Sequence, residues 1–132
     1  MLILYADGGC WPNPGPAAFG VVAEVDGRVV WAFSAAIGEA TNNVAEWRAA
    51  IAALEYASQA THDTVELRMD SQLVIQQLNG RWRVKQPHLK PLAVQAAALV
   101  QTFRDRDVRL LMRWVPREQN TLADCLAEVR PS

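Results

Sequence analysis

Leu2-Ile3-Leu4-Tyr5-Ala6-Asp7-Gly8-Gly9-Cys10-Trp11-Pro12-Asn13-Pro14-Gly15-Pro16 opens on an apolar run, meets an acid and passes into a segment of glycines and prolines. The apolar run bounded by turn formers reads as a buried strand from Leu2 to Ala6. It delivers the Asp7 carboxylate to a sheet edge, and the rigid residues that follow predict a loop of fixed shape. Working outward, Phe19 to Val25 and Arg28 to Ser34 flank Asp26-Gly27, a two-residue hairpin signal, so three antiparallel strands are expected. From Asn43 to Gln59 the apolar period becomes helical. Val44, Trp47, Ile51 and Leu54 recur on one face while Arg48, Glu55 and Gln59 look away. Thr64 to Met69 reads as a fourth strand, Ser71 to Leu78 as a short helix, Pro91 to Phe103 as an Ala-rich helix and Val108 to Val115 as a fifth strand. A closing helix starts between Arg117 and Asn120. The order βββαβααβα predicts one mixed α/β layered structure.

The chain has 132 residues, 51% of them apolar, which is the size of one domain with a real core, so a single domain over residues 1–132 is expected. Met1 to Ala6 is too short for a signal peptide, and no apolar run approaches the ~20 residues of a membrane span. The expectation is a soluble, cytoplasmic monomer with no membrane partner. Thirteen basic and fourteen acidic residues give a formal charge of -1, which argues against a strongly electrostatic, nonspecific nucleic-acid binder. A local basic strip is still present in Arg81-Trp82-Arg83-Val84-Lys85-Gln86-Pro87-His88-Leu89-Lys90, which contains no acid. Alone, such a run is more often a solvated loop. Cys10 and Cys125 are too few for a disulfide framework and lack zinc-ligand spacing, so free thiols are the default.

Besides Asp7, three acids sit where predicted elements begin: Glu46, Asp70 and Asp124. Each has a plain structural explanation. Asp7 could be a turn residue before Gly8 and Gly9. Asp70 could cap the helix that follows it. Glu46 and Asp124, in the first turns of their helices, could complement the helix dipole. Glu46, however, projects beside Ala50, Ala53 and Ala57, where an unpaired charge is costly. Acids gathered from separate elements are how proteins hold hard divalent cations, which points to metal-dependent catalysis.

Four motifs in order carry a resemblance over nearly the whole chain. They are Asp7-Gly8-Gly9-Cys10 with Asn13-Pro14-Gly15-Pro16, then Thr41-Asn42-Asn43-Val44-Ala45-Glu46, then Asp70-Ser71-Gln72, then Arg117-Glu118-Gln119-Asn120-Thr121-Leu122-Ala123-Asp124. Together they resemble type 1 ribonuclease H. The resemblance implies a ribonuclease H-like fold, a five-stranded mixed sheet with its first three strands antiparallel and helices on both faces. It further implies hydrolysis of the RNA strand of an RNA/DNA hybrid, with two Mg²⁺ ions (Mn²⁺ being an alternative) and 5′-phosphate and 3′-hydroxyl products. By position, Asp7 would bridge both ions. Asp124 would help hold the ion that activates water, and Glu46 with Asp70 would hold the ion at the leaving oxygen. Cys10, Asn13, Asn42, Asn43 and Gln72 match positions that touch the hybrid's minor groove, and Thr41 one that seats a DNA phosphate; for Asn42 and Asn43 the structural alternative is helix capping.

The chain departs from the family pattern twice. Many members carry a histidine in the loop before the last aspartate; Trp114-Val115-Pro116-Arg117-Glu118 has none, and His62 and His88 lie elsewhere. Some relatives place an arginine seven residues before that aspartate, so the resemblance implies that Arg117 would take the role, with capping or surface solvation as its alternative. The long basic handle of several bacterial members is also missing, and only Gly80 to Lys90 stands in its place. Two other functions fit the same resemblance: an inactive duplex-binding module, and a nuclease that also cleaves double-stranded RNA.

Overall fold

The computed structural model describes residues 1–128. Leu2, Leu4 and Ala6 alternate into the core from β1 (Leu2–Cys10), which pairs antiparallel with β2 (Gly15–Val25), itself antiparallel to β3 (Arg28–Ala40). Helix α1 (Asn42–Ser58) crosses over to β4 (Thr64–Met69), which lies parallel to β1. Then come α2 (Gln72–Leu78), α3 (Lys90–Asp105), β5 (Arg109–Trp114) parallel to β4, and α4 (Thr121–Leu126). The sheet order is β3-β2-β1-β4-β5. The expected five-stranded mixed sheet is therefore what forms. Among the described residues, no helix is long and apolar enough to cross a membrane.

Strand alternation divides the sheet into two faces. Leu2, Leu4 and Ala6 meet α1, whose Ala45, Ala49, Ala50, Ala53 and Ala57 are all buried. Small side chains let the helix ride close. A Cβ added at Gly8 would lie 2.2 Å from the Ala45 carbonyl carbon. Trp47, Leu54, Leu67, Met69 and Phe103 fill the space between sheet and helices. On the opposite face Asp7 pairs with Gly20, and there α4 descends: a Cβ at Gly20 would lie 2.4 Å from Leu126 Cβ. Farther along this face the buried Glu66 carboxylate pairs with Arg68 and, at 3.6 Å, with Arg113.

Several sequence expectations need correction. β1 does not stop at Ala6. β2 supplies partners as far as Cys10↔Ala17, so Asp7 is a mid-strand residue rather than a turn residue. For the same reason β2 begins at Gly15 and β3 continues to Ala40, through a register shift between Ala17 and Ala18. Neither Asn42 nor Asn43 caps α1. Thr41 does, its hydroxyl accepting the Val44 N–H at 3.3 Å. Nor does Asp70 cap α2, because the Ser71 hydroxyl accepts the Val74 N–H at 3.3 Å. Glu46 is the fifth residue of α1, beyond the first turn, so a dipole role is weak. These caps leave Asp70, Asn42 and Glu46 without a structural duty at the helix ends.

Because Gly8 faces the α1 backbone and not a yielding side chain, Gly8→Ala is expected to destabilise the fold by about 2–3 kcal/mol. Urea unfolding would show a lowered midpoint. Gly9→Ala, with open space around its Cβ, serves as the comparison and should not shift it in the same way.

Candidate active site

Four acids from four elements line one cavity of about 260 Å³: Asp7 from the middle of β1, Glu46 from α1, Asp70 just past β4 and Asp124 from the first turn of α4. Register explains the first pairing. Ala6 opposes Met69 in the parallel ladder, so Asp7 and Asp70 follow at the same level on neighbouring strands. Cys10, Asn42 and Arg117 line the same cavity.

Asp70 is the most heavily held of the acids. Its Oδ2 takes the Arg117 Nε–H at 3.3 Å, its Oδ1 takes Asn120 Nδ2 at 3.3 Å, and its carbonyl oxygen takes the Trp114 indole N–H at 3.1 Å. Asn120 was missed as a site residue in the sequence. It is buried, and its Nδ2 also donates to Ala6 O at 2.9 Å, tying the β1 strand, Asp70 and the start of α4 together. An Asn before a helix reads as a cap. The clue was its spacing of four from Asp124, which puts both on one helical face.

Crowding of like charges sets the electrostatics. Asp7 is pushed up to about 9, chiefly by burial, then by the hydrogen bond to Asp124, the negative charge of Asp70 and further contacts with the same two acids. Burial also raises Glu46; the Ser71 hydroxyl draws it back and Asp70 pushes it further up. The Arg117 guanidinium is held still more firmly protonated by its hydrogen bond to Asp70. That pair is largely solvent-exposed on the arginine side, so it orients Asp70 more than it stabilises the fold.

The polar residues beside the acids interlock. Asn42 Oδ1 accepts the Cys10 N–H at 2.9 Å, and Asn13 Oδ1 accepts the Asn42 N–H at 3.3 Å. The Cys10 thiol lies 3.2 Å from Asn42 Oδ1 and 3.4 Å from Asn13 Oδ1, and burial pushes it up, which keeps it a donor. The turn after β1 is thereby fixed to the start of α1. Asn43 and Gln72 lie outside the cavity lining, as do His62 and His88. Cys10 and Cys125 are free thiols, as expected.

A family model described as "Reverse transcriptase-like" matches residues 5–129. The chain is 44% identical to RNase H1 from the halophilic archaeon Halobacterium salinarum, over 96% of this chain and 93% of that one, with a TM-score of 0.86. It belongs to the type 1 ribonuclease H family. The N-terminal ribonuclease H domain of Rv2228c from Mycobacterium tuberculosis, solved as a fusion with maltose binding protein, is 46% identical over 96% of this chain and 89% of that chain, with a TM-score of 0.88. Rv2228c as a whole is called a bifunctional protein, and the chain spans 34% of its length at 49% identity. LC11-RNase H1, solved in complex with an RNA/DNA hybrid, is 40% identical over 96% of this chain and 94% of its own, with a TM-score of 0.83.

Divalent metal ions fit this ribonuclease H-family cavity on chemical grounds. Its donors are hard carboxylate oxygens, and Asp7, raised first by burial and then by Asp124 and Asp70, stands packed against two of the other acids. Among the described residues, no three His, Cys, Asp or Glu side chains stand as a closed ligand set, so the acids border an open cavity.

A pH dependence follows. An unfolded Asp loses its proton near 4, whereas folded Asp7 keeps its proton to about 9, so between these values the folded state binds more protons. This group's contribution to stability is complete below about 4 and is lost as pH rises towards 9. In EDTA, Asp7→Asn should therefore be more stable than the unmutated protein at pH 8, by about 1 kcal/mol or more. The gap should widen from pH 5 to pH 9 in urea titrations, and a gap that stays flat would contradict the assignment.

Proposed function

We propose that this cavity hydrolyses the RNA strand of RNA/DNA hybrids, leaving 5′-phosphate and 3′-hydroxyl ends. The observation that carries the proposal is the convergence of Asp7, Glu46, Asp70 and Asp124 on one cavity beside the Cys10, Asn13 and Asn42 network. The hybrid-bound state of LC11-RNase H1 supports the choice of substrate. The likeness covers about a third of Rv2228c, and the activity is proposed for this chain, as a monomeric cytoplasmic domain over residues 1–132.

The four acids would hold two Mg²⁺ ions, or Mn²⁺ in their place. When bound, such ions neutralise charge on the attacking and departing oxygens of an in-line displacement. By its position in the family pattern Asp7 would serve both ions, and Asp70 and Asp124 both stand against it. Asp124 would serve the water side, and Glu46 with Asp70 the leaving-group side.

The protein's own part is orientation. Arg117 and Asn120 fix one Asp70 oxygen each. Asn42 spends its Oδ1 on Cys10, which leaves its Nδ2 to donate to a 2′-hydroxyl, the group that separates RNA from DNA. Cys10, Asn13, Asn43 and Gln72 would complete the minor-groove contacts, and Thr41 would seat a phosphate of the DNA strand. With a charge of -1 and no long handle, few phosphate contacts and a shallow salt dependence are expected.

The test is cleavage of an end-labelled RNA/DNA hybrid with Mg²⁺, beside an EDTA control. Internal cuts in the RNA strand should appear and fall about a hundredfold or more in Asp70→Asn. No cutting with Mg²⁺ or Mn²⁺ while the hybrid still binds would leave a binding module instead. Matched double-stranded RNA would show whether the A-like shape alone suffices.

For Arg117→Ala, kcat should fall about tenfold with KM little changed, as for a lost hydrogen bond that acts through Asp70. Turnover within error of the unmutated protein would leave the missing histidine without a substitute at this position.

A further inference from the structure

Three of the five tryptophans are exposed: Trp11 at 53%, Trp82 at 47% and Trp114 at 42%. Single exposed aromatics are ordinary. Two of these are not scattered, however. Trp11 follows Cys10, which lines the acid cavity, and its backbone N–H is fixed to Pro16 O at 3.1 Å. Trp114 donates its indole N–H to Asp70 O, so its ring is held in one orientation beside an acid while much of its surface remains open.

Their separation follows from strand geometry. Cys10 ends β1 about 10 Å beyond Asp7 at the usual rise, and Trp11 comes next. Trp114 pairs with Met69 on β5, about 10 Å sideways from β1 at two strand spacings. Trp114 is level with Ala6 and Trp11 lies five residues farther along, so the two backbones stand about 20 Å apart at these spacings, with the acids between Trp11 and the level of Trp114, which is about six nucleotides at about 3.4 Å each.

A chain of charge -1 with four acids at its site gains little from electrostatic attraction to a polyanion. Beyond the largely exposed Arg81–Lys90 strip, affinity would gain most from contacts that do not depend on charge. Rigid exposed aromatics supply such contacts at low entropic cost, and the sugar rings lining a minor groove offer them an apolar surface.

Building on the hybrid-nuclease proposal, we propose that Trp11 and Trp114 are substrate-contact residues that pack on sugar rings on either side of the cleaved bond. They hold the hybrid by apolar contact in place of the phosphate contacts that a basic handle would make. Asp70 is positioned by the same indole that grips the duplex, so binding and metal-site geometry meet in one side chain.

The test measures binding of a fluorescently labelled RNA/DNA hybrid by anisotropy in EDTA, at several salt concentrations. Trp11→Ala and Trp114→Ala should each weaken binding about tenfold, with the slope of log affinity against log salt unchanged. Trp114→Phe keeps an aromatic ring but loses the N–H, and it should bind within about twofold of the unmutated protein. Val30→Ala, an exposed apolar residue on the β3 edge, should leave binding unaltered.

Alanine variants that bind as tightly as the unmutated protein, while that protein still cuts hybrid, would overturn the tryptophan contacts and leave the nuclease. Trp114→Phe as weak as Trp114→Ala would show that Trp114 acts only through Asp70, which also overturns its contact role. An unmutated protein that neither binds nor cuts the hybrid would overturn both proposals. Trp11 lies on an exposed turn, so its variant keeps the test decisive should Trp114→Ala fail to fold.

Discussion

The parallel pairing of β1 with β4 is the constraint from which the rest of the site follows. Parallel neighbours cannot be joined by a tight turn, so the chain must cross over. Here β2, β3 and α1 make that crossing. The crossing helix must lie flat on the sheet to bury its own apolar face, which requires alanines on α1 and a glycine at position 8. Once α1 is that close, Glu46 has nowhere to go but the cavity edge. The register Ala6↔Met69 then sets Asp7 beside Asp70, and the second parallel pair, β4 with β5, returns the chain so that α4 can add Asp124.

A site assembled this way works against the fold that holds it. Asp7 is buried in a strand with two more acids against it, and the cost appears as a proton held to about 9. Among the described residues no buried cation relieves the crowding. Arg117 hydrogen-bonds to Asp70, acts on Asp7, Asp124 and Glu46 only through its charge, and is mostly in solvent, while Asn120 offers a neutral donor. Where a buried carboxylate has no catalytic use, the same sheet does otherwise: Glu66 is matched by Arg68 and Arg113. The contrast between Glu66, paired with two arginines, and Asp7, crowded by two more acids, is what favours Asp7 as the acid of the proposed site.

Most of the fold was legible because it is written in periodicity. α1 follows from Val44, Trp47, Ile51 and Leu54, and the β2–β3 hairpin from Asp26-Gly27, whose positive φ angles of 52° and 77° suit that turn. What escaped depends on contacts between distant segments. Gly8 and Gly9 look like turn residues until α1 is laid over the first of them. Asp70 looks like a cap until its carboxylate is found held by Arg117 and Asn120. Asn120 looks like a cap until its amide is found bridging Ala6 and Asp70. In each case the local preference was sound and a tertiary partner outbid it, which is where functional residues tend to hide. The four acids were legible as a set for the converse reason: each had a local excuse, but no single local rule covered all four.

Charge balance separates this chain from a nonspecific nucleic-acid binder and constrains how it can meet a polyanion. The four acids concentrate negative charge at the cavity, and the nearby cation, Arg117, is already committed to Asp70. A duplex approaching without metal would therefore be repelled at the reactive centre and held only around it. The proposed metal ions would reverse the sign of that centre, and substrate affinity and metal occupancy would then be coupled, each favouring the other by the same free energy. The exposed aromatics and the Cys10–Asn13–Asn42 network border the cavity with uncharged groups. In the proposed function they would read shape and the 2′-hydroxyl through contacts that need no metal, so recognition of the hybrid would not have to wait for the reactive centre to assemble.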